Sequence, residues 1–425
     1  MKTINIAILG IGTVGGGTYD ILTKNRAMIL ETQGVDIFVA KVLDKSKDIV
    51  VARGVDAQCA AASLDEILAD DTISIVVETM GGINPAKDFI LRSLKAGKSV
   101  VTANKELLAK HFAELQDAAS STGAQLYYEA SCAGGIPIIR VLKEGMQANN
   151  ISQIIGIING TTNYIMTKMS EEGLPYATVL KEAQSLGFAE ADPTADVEGF
   201  DAQYKLSILS SLAFHQKVDY TKIYREGISK ITADDIVSAK KFGYTIKLLG
   251  IGKMNNGKLE ARVHPCFVPL SHPLASVRNE FNAVFLKGDS VDDIMLYGRG
   301  AGALPTGSAI CSDIIVAAKT FAASKKLPRA KKAKMKDASL LSDFESAYYL
   351  SLTVKDQAGV LAKISKVFGD NKVSIRQMIQ TAEKDGLARL VFLTHKTGES
   401  AMQKALAATK KLAEVESAES LIRVL

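Results

Sequence analysis

Residues Ile4-Asn5-Ile6-Ala7-Ile8-Leu9-Gly10-Ile11-Gly12-Thr13-Val14-Gly15 form a short apolar run that leads straight into a glycine-rich turn. The apolar run predicts a buried strand, and the helical pattern after it predicts a helix that begins at the turn. In this context, glycines spaced as Gly10, Gly12 and Gly15 let the backbone approach a pyrophosphate at the helix N-terminus. The stretch therefore predicts a dinucleotide-binding βα unit, and a turn that only tightens the βα packing is the alternative.

The rest of residues 1–133 extends this unit into alternating strands and helices. Apolar runs predict strands at residues 4–9, 37–43, 73–78, 99–102 and 125–129, and helical periodicity predicts helices at 14–30, 85–95 and 105–120. Such alternation is typical of a parallel sheet with crossover helices. We therefore expect an α/β fold with a Rossmann-type, doubly wound parallel sheet in residues 1–133.

The remainder of the chain predicts two further domains. Mixed helices and antiparallel-looking strands predict an α+β substrate-binding and dimerisation domain at 134–305. Residues 306–323, helical from 308, are expected to pack back on the first domain, and a basic linker follows at 324–346. Residues 347–425 read strand, helix, strand, strand, helix, strand, the order of a ferredoxin-like domain.

Composition narrows the classes of function. The formal net charge of +5 over 425 residues is modest, and the basic run at 325–334 contains no aromatic residue, so we expect no nucleic-acid partner. The four cysteines form no CxxC pair and the five histidines show no ligand spacing, which argues against a disulfide framework and a transition-metal site. Because no run of about 18 apolar residues occurs, we expect a cytoplasmic protein without membrane contact.

Residues 190–205 place five carboxylates shortly before a lysine on a predicted helix. Desolvation or nearby charge brings a lysine into the range where it exchanges protons with a substrate hydroxyl. The alternative is that Asp201 and Lys205 form an exposed i,i+4 pair worth about 0.2–0.5 kcal/mol. Lys105 is a second candidate, because it follows a strand at the sheet edge where α/β proteins bind ligands. Its alternative is a helix-start residue that faces water.

Two loops suggest cofactor and ion chemistry. Asp44, at the end of the second predicted strand, suits a ribose 2′-hydroxyl, whereas Lys45 and Lys47 suit a 2′-phosphate, so NAD and NADP both stay open. The glycine-rich loop at 129–137 offers one carboxylate and several backbone carbonyls, the oxygen environment of a hard monovalent cation, and a hinge is the alternative. With no histidine nearby in sequence to activate it, Cys132 is expected to be buried filler rather than a nucleophile.

Together these stretches resemble the homoserine dehydrogenase family over essentially the whole chain. The motifs that carry the resemblance are residues 10–15, 102–105, 129–137, 160–164, 186–205, 298–302 and 305–309. The tail resembles an ACT domain whose first loop reads Asp356-Gln357-Ala358-Gly359-Val360-Leu361. The resemblance implies an oxidoreductase that interconverts L-homoserine and L-aspartate 4-semialdehyde with NAD or NADP, in threonine, methionine and isoleucine biosynthesis.

The resemblance also implies roles for individual residues. Lys205 matches the proton carrier and Asp201 the acidic residue beside it, while Lys105 would contact both cofactor and substrate. Glu190 and Asp196 would bind the substrate, with Glu190 receiving the ammonium group of homoserine. The implied cofactor contacts are Gly10, Gly12, Thr13, Val14, Gly15, Asp44, Lys105 and Gly302. The implied sodium ligands are Glu129 and the backbone carbonyls of Cys132, Gly134 and Ile136. Many family members carry an arginine close to the end of the second strand, where this chain reads Val42-Leu43-Asp44, which leaves the preference for NADP open.

Two other classes of protein fit these residues less well. A semialdehyde dehydrogenase needs an activated cysteine, and a nucleotide-sensing regulator needs neither Lys105 nor Lys205. For the tail, the resemblance implies a feedback sensor of L-threonine. The expected effector residues are Asp356, Ala358, Gly359, Val360 and Leu361. A tail that only assembles the oligomer is the alternative, and the sheet edges of a ferredoxin-like unit favour a homodimer or homotetramer.

Overall fold

The computed structural model describes residues 3–323 and 335–425, and the chain divides into two compact units. The first unit comprises residues 1–151, 204–221 and 282–338, and the second comprises residues 152–203, 222–281 and 339–425. Residues 324–334 of the expected basic linker lie outside the described residues.

The helices and strands follow one another in three stretches of chain. The first stretch contains β1 (Thr3–Leu9), α1 (Thr13–Gln33), β2 (Asp36–Leu43), α2 (Lys47–Ala52), α3 (Leu64–Ala69), β3 (Ile73–Glu78), α4 (Ala86–Lys95), β4 (Ser99–Thr102), α5 (Lys105–Thr122), β5 (Leu126–Tyr127) and α6 (Ile138–Arg140). The second contains β6 (Ile151–Ile157), α7 (Gly160–Glu172), α8 (Tyr176–Ser185), α9 (Thr194–Val197), α10 (Phe200–Phe214), β7 (Gln216–Lys217), β8 (Tyr224–Arg225), α11 (Ala233–Lys241), β9 (Tyr244–Asn255) and β10 (Lys258–Pro269). The third contains β11 (Phe281–Gly288), β12 (Asp292–Arg299), α12 (Ala303–Ala322), β13 (Lys336–Asp337), β14 (Glu345–Lys355), α13 (Val360–Asp370), β15 (Ile375–Ala382), β16 (Leu387–Thr394), β17 (Thr397–Gly398), α14 (Glu399–Thr409) and β18 (Val415–Val424).

The first unit is built on a five-stranded parallel sheet in the order β2-β1-β3-β4-β5, which confirms the expected doubly wound fold. The predicted strands at 73–78 and 99–102 match β3 and β4 residue for residue. The predicted strand at 125–129 is too long: β5 ends at Tyr127, because the Glu129 N–H donates to the Asp313 carboxylate instead of to a neighbouring strand. The strand order reverses between β1 and β3, and sheets of this kind bind ligands outside the carboxyl ends of the strands at such a point.

Helix α12 packs on α1, as expected for the segment after the second glycine-rich break. The two helices touch backbone to backbone. A Cβ on Gly17 would lie 2.3 Å from the Ala303 carbonyl oxygen, and one on Gly307 would lie 2.9 Å from the Thr18 nitrogen. Small residues at these points therefore fix α12 against the helix that carries the glycine-rich turn at its start.

The second unit contains a mixed sheet in the order β6-β9-β10-β18-β14-β16-β15, which confirms the expected α+β architecture. Its last four strands, with α13 and α14, form the ferredoxin-like tail, and the order strand, helix, strand, strand, helix, strand is confirmed. Strand β18 also pairs in parallel with β10, through Cys266 opposite Arg423 and Phe267 opposite Val424. The tail and residues 258–269 therefore share one hydrogen-bonded sheet, which the sequence pattern does not indicate.

No helix in the described ranges is long and apolar enough to cross a membrane.

Candidate active site

The glycine-rich turn after β1 has the geometry that a dinucleotide needs. A Cβ on Gly15 would lie 1.9 Å from the Gly10 carbonyl oxygen, so only glycine allows the helix to start this close to the strand. Nothing lies within 4 Å of the corresponding position on Gly12, which leaves the backbone open to a ligand. Thr79, at the end of β3, donates its hydroxyl to the Gly10 oxygen at 2.7 Å and braces the turn. No side chain caps the N-terminus of α1, so its first N–H groups suit a phosphate.

Asp44 lies directly beside this turn. One carboxylate oxygen accepts the Ile11 N–H at 2.7 Å, and the other accepts the Lys45 N–H at 2.7 Å. A carboxylate offers about four lone-pair sites, so Asp44 retains capacity for a ribose hydroxyl while it holds the turn.

A buried carboxylate lies at the edge of the sheet where the strands end. Lys105 follows strand β4 at the same edge. Glu78 ends β3, is wholly buried, and accepts the Thr102 hydroxyl at 2.6 Å and the Met80 N–H at 2.8 Å. Burial raises the pKa of Glu78 above its ordinary value. Asn104 caps α5 by accepting the Leu107 N–H at 3.1 Å, which makes the half-buried Lys105 the first helical residue. A carboxylate at the end of an otherwise apolar strand is the sequence signal that could have singled out Glu78.

The loop that was expected to hold a cation is anchored at its first residue. The two carboxylate oxygens of Glu129 accept the N–H groups of Ile139 and Arg140 at 2.8 and 2.7 Å, and its own N–H donates to Asp313 at 2.8 Å. Arg140 also pairs with Asp313 at 3.1 Å. Burial raises the pKa of both Glu129 and Asp313. The loop is therefore tied to α12 at its base.

The middle of the same loop turns sharply. Ala133 and Gly134 have φ angles of 55° and 50°, a left-handed conformation that a non-glycine residue adopts only where its surroundings impose it. A Cβ on Gly134 would lie 2.4 Å from the Gly300 carbonyl oxygen, so the loop is packed on the 298–302 loop. The carbonyl of Ile136 accepts the Ile138 N–H at 2.8 Å. All of the expected donors are oxygens, which fits a hard monovalent cation better than a transition metal.

Lys205 belongs to the same unit as Lys105 and the cation loop. Helix α10 carries it four residues after Asp201, and its side chain is only 9% exposed. The Cys132 thiol lies 3.9 Å from the Lys205 carbonyl oxygen and is fully buried, as expected of a filler residue. The alternative of an exposed i,i+4 pair is therefore wrong, because Asp201 and Lys205 are both buried.

In the second unit, one amide joins an expected substrate residue, Asp196, to an expected catalytic residue, Asp201. The Asn159 side-chain nitrogen donates to Asp196 at 2.6 Å and to Asp201 at 3.0 Å. Its oxygen accepts the Thr162 N–H at 2.9 Å and so caps α7. Asn159 precedes the 160–164 motif, but nothing in the sequence pattern indicates that it bridges carboxylates 37 and 42 residues further on.

No described contact joins the Glu190 side chain to this cluster. Glu190 is exposed, and its backbone carbonyl accepts the Gln184 side-chain amide at 3.0 Å. An exposed carboxylate of this kind is free to bind an incoming ammonium group without paying a large desolvation cost.

The expected effector residues line one cavity in the ferredoxin-like tail. It has a volume of about 340 Å³ and is bounded by residues 354–361, Gln380 and Leu390. Helix α13 starts at its wall with no side-chain cap, and the N-cap residue Gly359 has a φ of 89°. Gln380 donates to the Asp356 carboxylate at 3.1 Å across the opening. A free helix N-terminus opposite a carboxylate suits the two charged groups of an amino acid.

Within residues 3–323 and 335–425, no group of three or more His, Cys, Asp or Glu side chains is arranged to hold a metal ion.

Comparison with known proteins agrees with these features along the whole chain. Family models match at residues 10–129 (homoserine dehydrogenase, NAD binding domain), 137–315 (homoserine dehydrogenase) and 348–414 (ACT domain). Homoserine dehydrogenases of Bacillus subtilis and Neisseria gonorrhoeae are 40% and 41% identical over 100% of this chain and 99% of each relative. A crystal structure of a homoserine dehydrogenase from Thiobacillus denitrificans superposes with a TM-score of 0.95 at 39% identity, covering 100% of this chain and 99% of that one. A hyperthermophilic archaeal homoserine dehydrogenase in complex with NADPH matches 75% of this chain and 99% of its own, with a TM-score of 0.64 at 28% identity.

Proposed function

Because the chain belongs to the homoserine dehydrogenase family, it is an NAD(P)-dependent oxidoreductase that interconverts L-homoserine and L-aspartate 4-semialdehyde, and we propose that Lys205 carries the proton in this reaction. The observation that supports this role is the burial of its side chain, 9% exposed, at the position that matches the family's proton carrier. The bound nicotinamide supplies or accepts the hydride. Lys205 donates a proton to the aldehyde oxygen in one direction and removes it from the hydroxyl in the other.

Glu190 and Asp196 bind the substrate in this proposal, together with Asp201, the acidic residue beside Lys205 that shares the Asn159 amide with Asp196. Glu190 receives the ammonium group through a charge-assisted hydrogen bond, which its exposed position favours. Asp196 and Asp201, which share the Asn159 amide, form the second acidic group. Lys105, at the start of α5, contacts cofactor and substrate.

Two variants of Lys205 test the proton role. Lys205→Ala removes the proton carrier and should lower kcat by at least roughly 100-fold while cofactor affinity stays unchanged. Lys205→Arg keeps the positive charge, but a guanidinium does not release its proton in proteins, so it should fail equally. Homoserine oxidation followed by NAD(P)H absorbance gives kcat, and cofactor fluorescence titration gives affinity. Near-normal turnover in the arginine variant would mean that Lys205 acts only through its positive charge and does not carry the proton.

We propose that NAD is at least a usable cofactor, because a carboxylate at the end of β2 repels a 2′-phosphate. The position of Asp44 against the Ile11 N–H supports this, with Lys45 and Lys47 as the opposing charges. Asp44→Ala should shift the ratio of kcat/KM values toward NADP. An unchanged ratio would mean that Asp44 only braces the turn.

We propose that the loop at 129–137 binds a sodium ion through Glu129 and the carbonyls of Cys132, Gly134 and Ile136. Two left-handed residues and a tight contact with Gly300 support a fixed loop of oxygen donors. Exchange of sodium for a bulky organic cation at constant ionic strength should lower Tm, whereas exchange of chloride for another monovalent anion should not. Equal Tm values in both series would exclude the site.

We propose that the tail cavity binds an amino-acid effector, with L-threonine first among the candidates. The start of α13 would hold the effector carboxylate, and Asp356, oriented by Gln380, would hold its ammonium group. Asp356→Asn should weaken threonine binding about tenfold in calorimetry, which corresponds to one charge-assisted hydrogen bond. Asp370→Asn, at the exposed far end of the same helix, is the matched control. If no amino acid derived from aspartate binds at millimolar concentration, the tail serves assembly alone.

We propose that the enzyme is a homodimer or homotetramer. Strand β15 lies at one edge of the second unit's sheet, with most of its side chains half-buried or exposed, and such an edge pairs readily with a second copy. Light scattering of the full chain measures the assembly, and a monomer at micromolar concentration would contradict it.

A further inference from the structure

Arg423, in the last strand of the ferredoxin-like tail that contains the ACT domain, is the largest fully buried side chain in the described residues. Its guanidinium pairs with Glu399 of the same domain through two hydrogen bonds of 2.9 and 2.7 Å. It also donates to the Glu226 carboxylate at 2.8 Å and to the Tyr224 hydroxyl at 2.8 Å. Half of this buried ion network therefore lies outside the ACT domain.

Tyr224 and Glu226 belong to a short segment, residues 223–228, which we call the coupling segment. The segment runs beside β10, where β8 pairs with Arg262 and Val263 and the Glu226 N–H donates to the Val263 carbonyl at 2.8 Å. The Tyr224 hydroxyl also donates to Glu226 at 3.0 Å, so both groups that meet Arg423 are joined to each other. Arg423 thus holds the coupling segment by two linked contacts.

The opposite side of the coupling segment contacts the turn between α9 and α10. The Ile228 N–H donates to the Val197 carbonyl at 2.8 Å, and a Cβ on Gly227 would lie 2.4 Å from that oxygen. The guanidinium of Arg225 stacks on the Phe200 ring at 3.5 Å and donates to the Glu198 carbonyl. The contacts of Gly227 and Ile228 are made by backbone atoms, so a shift of the segment moves the turn with it.

That turn sits between two of the proposed substrate carboxylates. Asp196 precedes it in α9 and Asp201 follows it in α10, and the Asn159 amide bonds to both. Gln203 adds a further contact, since its amide donates to the Ile223 carbonyl at 2.9 Å at the start of the coupling segment. The coupling segment therefore contacts both the Arg423 guanidinium and the elements that carry the two carboxylates.

From these contacts we propose that Arg423 is a positioning residue for Asp196 and Asp201, acting through the coupling segment. The inference rests on the proposed role of these two carboxylates in substrate binding. Through these contacts, the C-terminal strand of the tail influences homoserine binding.

The test breaks the Arg423 contacts to the coupling segment and spares its pair with Glu399. The double variant Tyr224→Phe/Glu226→Met removes both the hydroxyl and the carboxylate that accept from Arg423, while both side chains, partly exposed at the surface, nearly keep their size. We expect the KM for homoserine to rise about three- to tenfold, with kcat and the KM for the cofactor within twofold of the parent. A purely structural role would lower Tm without this split between the two KM values.

Asp234→Asn is the matched control. Its carboxylate pairs with Arg389 of the ACT domain at 2.8 Å, but it stands on α11 rather than on the coupling segment. The control should leave the KM for homoserine unchanged. An equal rise in both variants, or no rise in the double variant, would overturn the positioning role.

Asp201→Asn, measured alongside, separates the two proposals. If it raises the KM for homoserine and the double variant does not, the carboxylate role stands and the coupling through Arg423 is wrong. If it leaves the KM for homoserine unchanged, the substrate role of Asp201 fails, and the positioning proposal fails with it.

Discussion

Replacing Asn159 by aspartate tests whether one amide organises the substrate carboxylates. Asn159→Asp has nearly the same shape and retains an oxygen that caps α7 through the Thr162 N–H, because aspartate and asparagine cap helices equally well. It replaces the donor that joins Asp196 and Asp201 with a third negative charge. The change is therefore confined to the interaction with the two carboxylates.

The size of the effect follows from the two hydrogen bonds that are lost. A hydrogen bond to a charged group contributes about 1.5–3 kcal/mol, so two of them give a ceiling of about 3–6 kcal/mol. Asp196 is only half-buried, and water replaces part of its bond, which leaves about 2–4 kcal/mol. At about 1.4 kcal/mol per factor of ten, kcat/KM for homoserine should fall roughly 30- to 700-fold, mainly through KM.

The pH dependence provides a second signature. The carboxyl group introduced at position 159 lies beside two other carboxylates, so its pKa in the folded protein is raised. As the pH falls through that pKa, the group gains a proton and donates a hydrogen bond again, so the deficit relative to the parent should shrink in acid. Asn159→Ser, which keeps a capping hydroxyl and adds no charge, should show a smaller and pH-independent deficit. A kcat/KM within threefold of the parent at pH 8 would refute the role of this amide.

Three further predictions use other parts of the structure. Gly12→Ala should leave Tm unchanged, because nothing lies within 4 Å of the added carbon, but should weaken cofactor binding in a fluorescence titration. Gly15→Ala should lower both Tm and cofactor affinity, because the added carbon would lie 1.9 Å from the Gly10 oxygen. Equal Tm values for the two variants would contradict this packing. Glu190→Gln should raise the KM for homoserine and leave cofactor affinity unchanged. If steady-state kinetics instead showed a change in cofactor binding alone, the assignment of Glu190 to the substrate would be wrong. Burial by itself raises the pKa of Glu399, but hydrogen bonds from Arg423 bring this pKa below its ordinary value. The stability that this pair contributes is therefore complete above the pKa of Glu399 in the unfolded chain. It is lost as the pH falls through the pKa of Glu399 in the folded protein. Glu399→Gln should therefore flatten the decline of Tm below about pH 5, and an unaltered acid decline would show that another group dominates.

Strands and helices that follow from local pattern were predictable, because the periodicity of apolar residues depends only on neighbours in the chain. Strands β3 and β4 match their predicted bounds, and all six elements of the tail appear in the predicted order. The glycine-rich turn is predictable for the same reason, since the short contact between Gly15 and Gly10 lies within one βα unit. The end of β5 was not predictable, because the last residue of the predicted strand, Glu129, donates its N–H to Asp313, far along the chain.

By itself, the sequence determines the α/β nucleotide-binding half, the ferredoxin-like tail and the residue types of the candidate site, since these depend on patterns within a few tens of residues. Only the tertiary structure decides which polar groups meet. Asn159 joins Asp196 to Asp201, β18 pairs with β10, and Arg423 reaches Glu226 across 197 residues of chain. Such pairings depend on which buried donors and acceptors the folded chain brings within hydrogen-bonding distance of one another, and most buried polar groups find a partner there. No local periodicity in the chain encodes that choice.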